Sequence, residues 1–206
     1  MGNLGIIMSK FLSFFTGCMA MPSRANETDQ ESSRFKNLYI GKEKTTTLHI
    51  YVQDELGGEN PTVLEVARSN ITSTSTTSFG QVRVLDDLVT AGPDRTSEKV
   101  GRAQGLITFS DLQESALTMN LNFVFTSGPY NGSTLCMLGR NPMGKKYREL
   151  AIVGGTGVFR LARGYAITNI YSYDVNTSHG VLEYNIYVAY VEGLNADQGE
   201  LSANKT

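Results

Sequence analysis

Leu117-Thr118-Met119-Asn120-Leu121-Asn122-Phe123-Val124-Phe125 decides the fold. Leu117, Met119, Leu121, Phe123 and Phe125 share one face, and Thr118, Asn120, Asn122 and Val124 share the other. A helix of about 3.6 residues per turn scrambles that division, whereas a strand, whose side chains alternate, produces it. Ser127-Gly128-Pro129-Tyr130-Asn131-Gly132 reads as the turn that follows, with Asn-Gly a strong hairpin signal, and residues 133–138 return.

Working outward, the two-residue period recurs. Leu48, Ile50 and Val52 alternate with His49, Tyr51 and Gln53, and Gly57-Gly58-Glu59-Asn60-Pro61 ends the run. Residues 63–68, 79–85, 101–109, 148–153, 164–173 and 181–191 are also strand-like. Short connections predict antiparallel neighbours, because parallel pairs need long crossovers. The fold class is therefore all-β; pattern alone leaves a sandwich and a barrel both open.

With 206 residues, 40% of them hydrophobic, the chain holds one β domain over 47–192 plus tails. A formal charge of −2 from 18 basic and 20 acidic residues leaves no electrostatic footprint for nucleic acid or an anionic membrane. Residues 21–46 are polar without sustained periodicity and read as a disordered lead-in, and 193–206 as a flexible tail. Residues 1–20 read as a signal peptide ending Gly17-Cys18-Met19-Ala20. Lys10 sits inside the apolar run, not ahead of it, so an uncleaved cytosolic N-terminus stays open, and the segment is too polar for a membrane span. Sequons start at Asn26, Asn70, Asn131, Asn176 and Asn204; Asn70 and Asn131, beside turn sequence, are the candidate glycosylation sites.

Cys18 and Cys136 make no disulfide framework, and His49 and His179 are too few for a histidine metal site, so no metal or cofactor is expected. Asp54, before Glu55 and the Gly57-Gly58 turn, is either a solvated turn residue or, if it faces a cavity, an acid or base whose pKa desolvation raises. Of Asp86-Asp87, at most one points inward. Arg148 is a solvated charge if exposed and a clamp for a carboxylate or phenolate oxygen if buried. Gly154-Gly155-Thr156-Gly157 lacks the Lys-Ser/Thr of a phosphate loop and reads as a sharp turn. Tyr165, Tyr171, Tyr173, Tyr184, Tyr187 and Tyr190 are either pocket or core residues.

Several blocks, in order, resemble the plant dirigent proteins: residues 48–54, Gly58-Glu59-Asn60-Pro61-Thr62, Phe79-Gly80 to Asp86-Asp87, and Val100-Gly101-Arg102-Ala103-Gln104-Gly105. Tyr130-Asn131-Gly132-Ser133-Thr134-Leu135, Leu138-Gly139-Arg140-Asn141-Pro142, residues 148–157 and Ala162-Arg163-Gly164-Tyr165-Ala166 complete the series. The resemblance implies an eight-stranded antiparallel barrel, a homodimer or homotrimer, secreted to the apoplast, without a cofactor. It implies binding of two coniferyl-type phenoxy radicals, made by a separate oxidase such as a laccase or peroxidase, and stereoselective coupling to lignans. Asp54 becomes the acid or base and Arg148 its cationic partner, with Asp87, Ile107, Phe123, Asn141 and Tyr165 as expected substrate contacts. Departures from the lignan-forming pattern are Asn141 in place of an aspartate, Leu106-Ile107 in place of an aromatic, and Gln53 in place of a histidine. Two further readings follow from the resemblance: a dehydratase acting through a quinone methide, as in relatives that form pterocarpans, and a non-catalytic defence or carbohydrate-binding protein.

Overall fold

The computed structural model describes residues 24–191; the expected signal peptide at 1–20 and tail at 193–206 lie outside them. The chain divides into two units after Ile40. The first contains helix α1, Arg24–Ile40, within the polar stretch ahead of the β domain. The sequence is rich in Glu, Gln, Arg and Lys, good helix formers, and Glu31 pairs with Arg34 one turn on at 2.8 Å. Side chains 28–37 are exposed apart from half-buried Arg34. Over these described residues the helix shows no apolar stripe, the signal on which a sequence reading depends.

The second unit holds nine strands: β1 Glu43–Glu55, β2 Val63–Ala67, β3 Val82–Thr90, β4 Lys99–Phe109, β5 Ala116–Phe125, β6 Thr134–Pro142, β7 Arg148–Thr156, β8 Arg163–Asp174 and β9 His179–Val191. It begins at Glu43, earlier than residue 47, because the Thr-rich start of β1 pairs with β9 as far as Glu43 opposite Val191. All neighbours are antiparallel, and β1 pairs both β9 and β3, so eight strands close into the expected barrel.

The ninth strand marks the seam. β1 covers the C-terminal part of β3, with Tyr51 opposite Thr90 and Gln53 opposite Leu88. β2 takes over the same edge further along, with Val63 opposite Leu85. The chain between them, residues 56–62, leaves and re-enters the wall there, held by Thr62 N–H to Glu55 O at 3.0 Å and Asp86 N–H to Thr62 O at 3.0 Å.

Alternation fills the barrel. Ile50, Val52, Leu85, Val89, Leu117, Met119, Leu121, Leu135, Met137, Leu150, Ile186 and Val188 are among the buried residues of one core. One end is plugged by aromatic rings: Phe159 lies 4.8 Å from Tyr130, 5.6 Å from Phe125 and 5.6 Å from Tyr190. The glycine-rich stretch puts Phe159 there. Gly157 has φ of +61°, and a Cβ on Gly155 would meet Thr134 O at 2.2 Å, so the chain turns sharply without forming a phosphate loop. The other end is not filled.

Candidate functional site

The unfilled end is a cavity of about 280 Å³. The inward series places its residues: Val52 and Asp54 from β1, Leu85 and Asp87 from β3, Ile107 from β4, Leu117, Met119 and Leu121 from β5. β6, β7 and β9 add Asn141, Arg148, Leu182 and Tyr184. Leu56, Met143, Ile170 and Tyr173 form the rim, the last three 39%, 53% and 50% exposed. Gly180, opposite Asp54 in the β1–β9 register, also lines it; a Cβ there would lie 3.6 Å from that of Asp54. The walls are mostly apolar with few polar groups, the usual make-up of a small-molecule site.

Two carboxyls share one wall. The β1–β3 register runs Tyr51–Thr90, Val52–Val89, Gln53–Leu88, and one step on sets Asp54 opposite Asp87. Burial, with Arg83 and His179 countering only in part, pushes Asp54 up to about 6. Burial and the nearby charge of Asp54 push Asp87 up to about 8. Asp87 is 1% exposed and accepts the hydroxyl of Thr62 on Oδ1. Oδ1 of Asp54 is buried without a partner. Asp86, the chain neighbour of Asp87, faces outward and pairs with Arg102 at 2.7 Å, so one of the two adjacent aspartates points in.

Arg148, 4% exposed, stands apart from the acids. Its Nε is buried without a partner. Desolvation lowers its pKa, countered only by Tyr184, whose own hydroxyl burial pushes up to about 12 and so keeps neutral. The expected direct pairing of Asp54 with Arg148 is therefore absent: the cavity is bipolar, with proton-holding carboxyls at the β1–β3 seam and a guanidinium at the start of β7. Asn141 leaves Oδ1 buried and unpartnered, with Nδ2 2.8 Å from the Met119 sulfur. Three polar groups of one cavity thus lack protein partners, and a buried polar group in that condition costs stability unless a ligand meets it.

Of the residues that the resemblance implies for a site, Asp54, Asp87, Ile107, Asn141 and Arg148 line this cavity. Phe123 and Tyr165 do not. Phe123 points inward but lies beneath the cavity, packed edge-on to Tyr184 at 5.4 Å. Tyr165 is on the outer face, because the inward residues of β8 are Ala166 and Thr168; it stacks on Tyr187 at 5.0 Å. Of the six tyrosines, Tyr173 and Tyr184 line the cavity and Tyr190 belongs to the aromatic plug. Asn70 and Asn131 are exposed. Gln53, buried on the outside of the wall, donates to Thr90 Oγ1 at 2.9 Å and lies 3.1 Å from His179 Nε2. Sequence reasoning missed Thr62, which nothing local singles out, and left Tyr184 open between pocket and core, although alternation from Leu182 and Ile186 turns it inward.

The Dirigent-like protein family profile matches residues 45–189. Pterocarpan synthase 1 of Glycyrrhiza echinata is 43% identical, over 88% of this chain and 98% of its own. Dirigent protein 23 of Arabidopsis thaliana is 44% identical over 89% of this chain and 97% of its own. Among solved structures, the pterocarpan synthase dirigent protein GePTS1 superposes with a TM-score of 0.68 at 42% identity, covering 74% of this chain and 88% of its own.

Proposed function

Since the chain belongs to the Dirigent-like protein family, we propose that it binds one phenolic molecule and acts as a dehydratase and cyclase through a quinone methide, in the manner of the pterocarpan synthases it resembles. The observation that carries this reading is the bipolar cavity: raised carboxyls Asp54 and Asp87 on one wall, unpaired Arg148 on the other.

A carboxyl at about 6 can hold a proton near neutrality and release it during reaction. Asp54 gives its proton to the benzylic hydroxyl of the substrate, whose C–O bond breaks with both electrons to oxygen, leaving as water. The phenol on the same ring loses its proton to solvent, and its electron pair fills the ring as a quinone methide. Arg148 stabilises that phenolic oxygen while it carries negative charge. A second phenolic hydroxyl then adds to the methide carbon, its proton returns to Asp54, and the first phenol is reprotonated. The sum is substrate to cyclised product plus water.

Stereoselective coupling of two phenoxy radicals from a separate oxidase is the other reading. The volume, about 280 Å³, lies just below the roughly 300–1,000 Å³ of small-molecule clefts, and suits one fused-ring molecule better than two rings side by side. The deciding assay supplies a hydroxylated isoflavanol without oxidant, and in parallel coniferyl alcohol with a one-electron oxidant. Cyclised product in the first arm, lost in Asp54→Asn, supports the dehydratase; enantiomeric excess only in the second replaces it with the coupling role.

Self-association and secretion belong to the same proposal. Leu64, Val84, Leu106, Asn120, Leu138, Ala151, Tyr165 and Tyr187 follow one another across the outer face by strand register. Such a mostly apolar row fits a contact between copies of the chain. The exposed sequons at Asn70 and Asn131 fit a glycosylated, exported protein.

A further inference from the structure

We infer that Thr62 is a positioning residue that fixes which oxygen of Asp87 carries the proton, so that the neutral member of the acid pair presents its O–H in one orientation. The chain here is held from three directions. Thr62 N–H bonds Glu55 O and Thr62 O accepts Asp86 N–H, each at 3.0 Å. The side chain is fixed as well: Glu55 N–H donates to Thr62 Oγ1 at 3.2 Å, and the hydroxyl donates to Asp87 Oδ1.

The direction is that of the contact itself. A threonine hydroxyl has one proton to give, the Glu55 amide donates to one lone pair of Oγ1, and Oγ1 donates its proton to Asp87 Oδ1. An oxygen accepting it is the carbonyl-type oxygen of a protonated carboxyl, so the acid hydrogen of Asp87 resides on Oδ2. Asp54, one step along the register, has no such partner on Oδ1. The two carboxyls therefore differ: Asp87 is a held acid with one defined O–H, and Asp54 is left free to exchange its proton with a ligand. Thr62 stands where the wall passes from β1 to β2, the one stretch of the seam in which a loop residue enters between the strands.

The infrared arm of the test does not depend on the proposed reaction; the kinetic arm rests on it. Difference infrared spectra of the full chain at pH 6 identify the protonated carboxyl stretch of Asp87 as the band lost in Asp87→Asn. In Thr62→Val, which keeps shape and removes the hydroxyl, that band moves to higher frequency because its C=O loses a donor; Thr62→Ser restores it. If Thr62→Val does not fold, Thr62→Ala is the substitute. A band unmoved in the hydroxyl-less variant, or the absence of any band lost in Asp87→Asn, overturns the inference. In turnover, Thr62→Val lowers kcat about tenfold with KM within twofold, and Thr62→Ser recovers it; equal loss in both variants would assign Thr62 a packing role and overturn it. Lack of turnover in wild type with the infrared shift intact rejects the proposed reaction alone.

Discussion

Asp54 and Asp87 face each other across the strand pair that closes the barrel, yet only Asp87 is held, by the Thr62 hydroxyl. Burial raises both, and their mutual repulsion keeps one neutral while the other ionises. Asp54→Asn is expected to abolish cyclisation, by at least about a hundredfold in kcat, with an unchanged circular dichroism spectrum. Wild-type kcat should fall as pH rises through about 6, the limb on which an acid that must be protonated is lost. Activity still rising above that pH would exclude Asp54 as the proton donor.

Asp87 carries a stability consequence of definite sign. Its folded-state pKa, about 8, exceeds the ordinary carboxylate value, so its contribution is fully present below about pH 4 and is lost as pH rises through 8. Asp87→Asn, which still accepts the Thr62 hydroxyl, should therefore gain stability over wild type as pH rises from 4 to 8, by roughly 5 °C or more in Tm. Thermal melts at both pH values measure it; a constant difference would mean that Asp87 ionises normally.

Arg148 is a desolvated cation with no carboxylate beside it. Arg148→Met should leave Tm unchanged or raised while lowering kcat/KM by about a hundredfold. Strong destabilisation by this change would reveal a structural guanidinium.

Phe159, fully buried among Phe125, Tyr130 and Tyr190, supplies the converse case. Phe159→Ala should cost about 3–5 kcal/mol in chemical denaturation and leave the pH dependence of residual turnover intact, because the plug lies at the end opposite the cavity.

On the outer face, Leu138→Asp interrupts the apolar row between Asn120 and Ala151. A smaller sedimentation coefficient than wild type is the expected result; identical sedimentation would remove that face as a contact between copies.

Alternation exposed most of the barrel to a sequence reading, since each strand buries every second residue and Leu117, Met119 and Leu121 announce the period. It turned one of Asp86 and Asp87 inward without saying which, and left Asp54 open between the turn and a cavity. It did not separate the cavity from the core, because both are inward: Phe123 and Ile107 obey one rule, and only the depth at which each strand crosses the barrel distinguishes them. Tyr165, a contact that the resemblance implies, faces outward because alternation along β8 puts Ala166 inside. Helix α1 leaves no periodic trace over residues 28–37, whose side chains are nearly all exposed. Thr62 escaped because its role arises from a backbone crossing between strands, which no local pattern encodes.

The aromatic plug has one more consequence. With Phe159, Phe125, Tyr130 and Tyr190 stopping one end, Met143, Ile170 and Tyr173 form the doorway that both incoming and outgoing molecules must use. A dead-end chamber admits one molecule at a time: an occupant at the rim bars the next, so the rate of departure, set by three greasy side chains, is a property that selection can adjust without touching the acids.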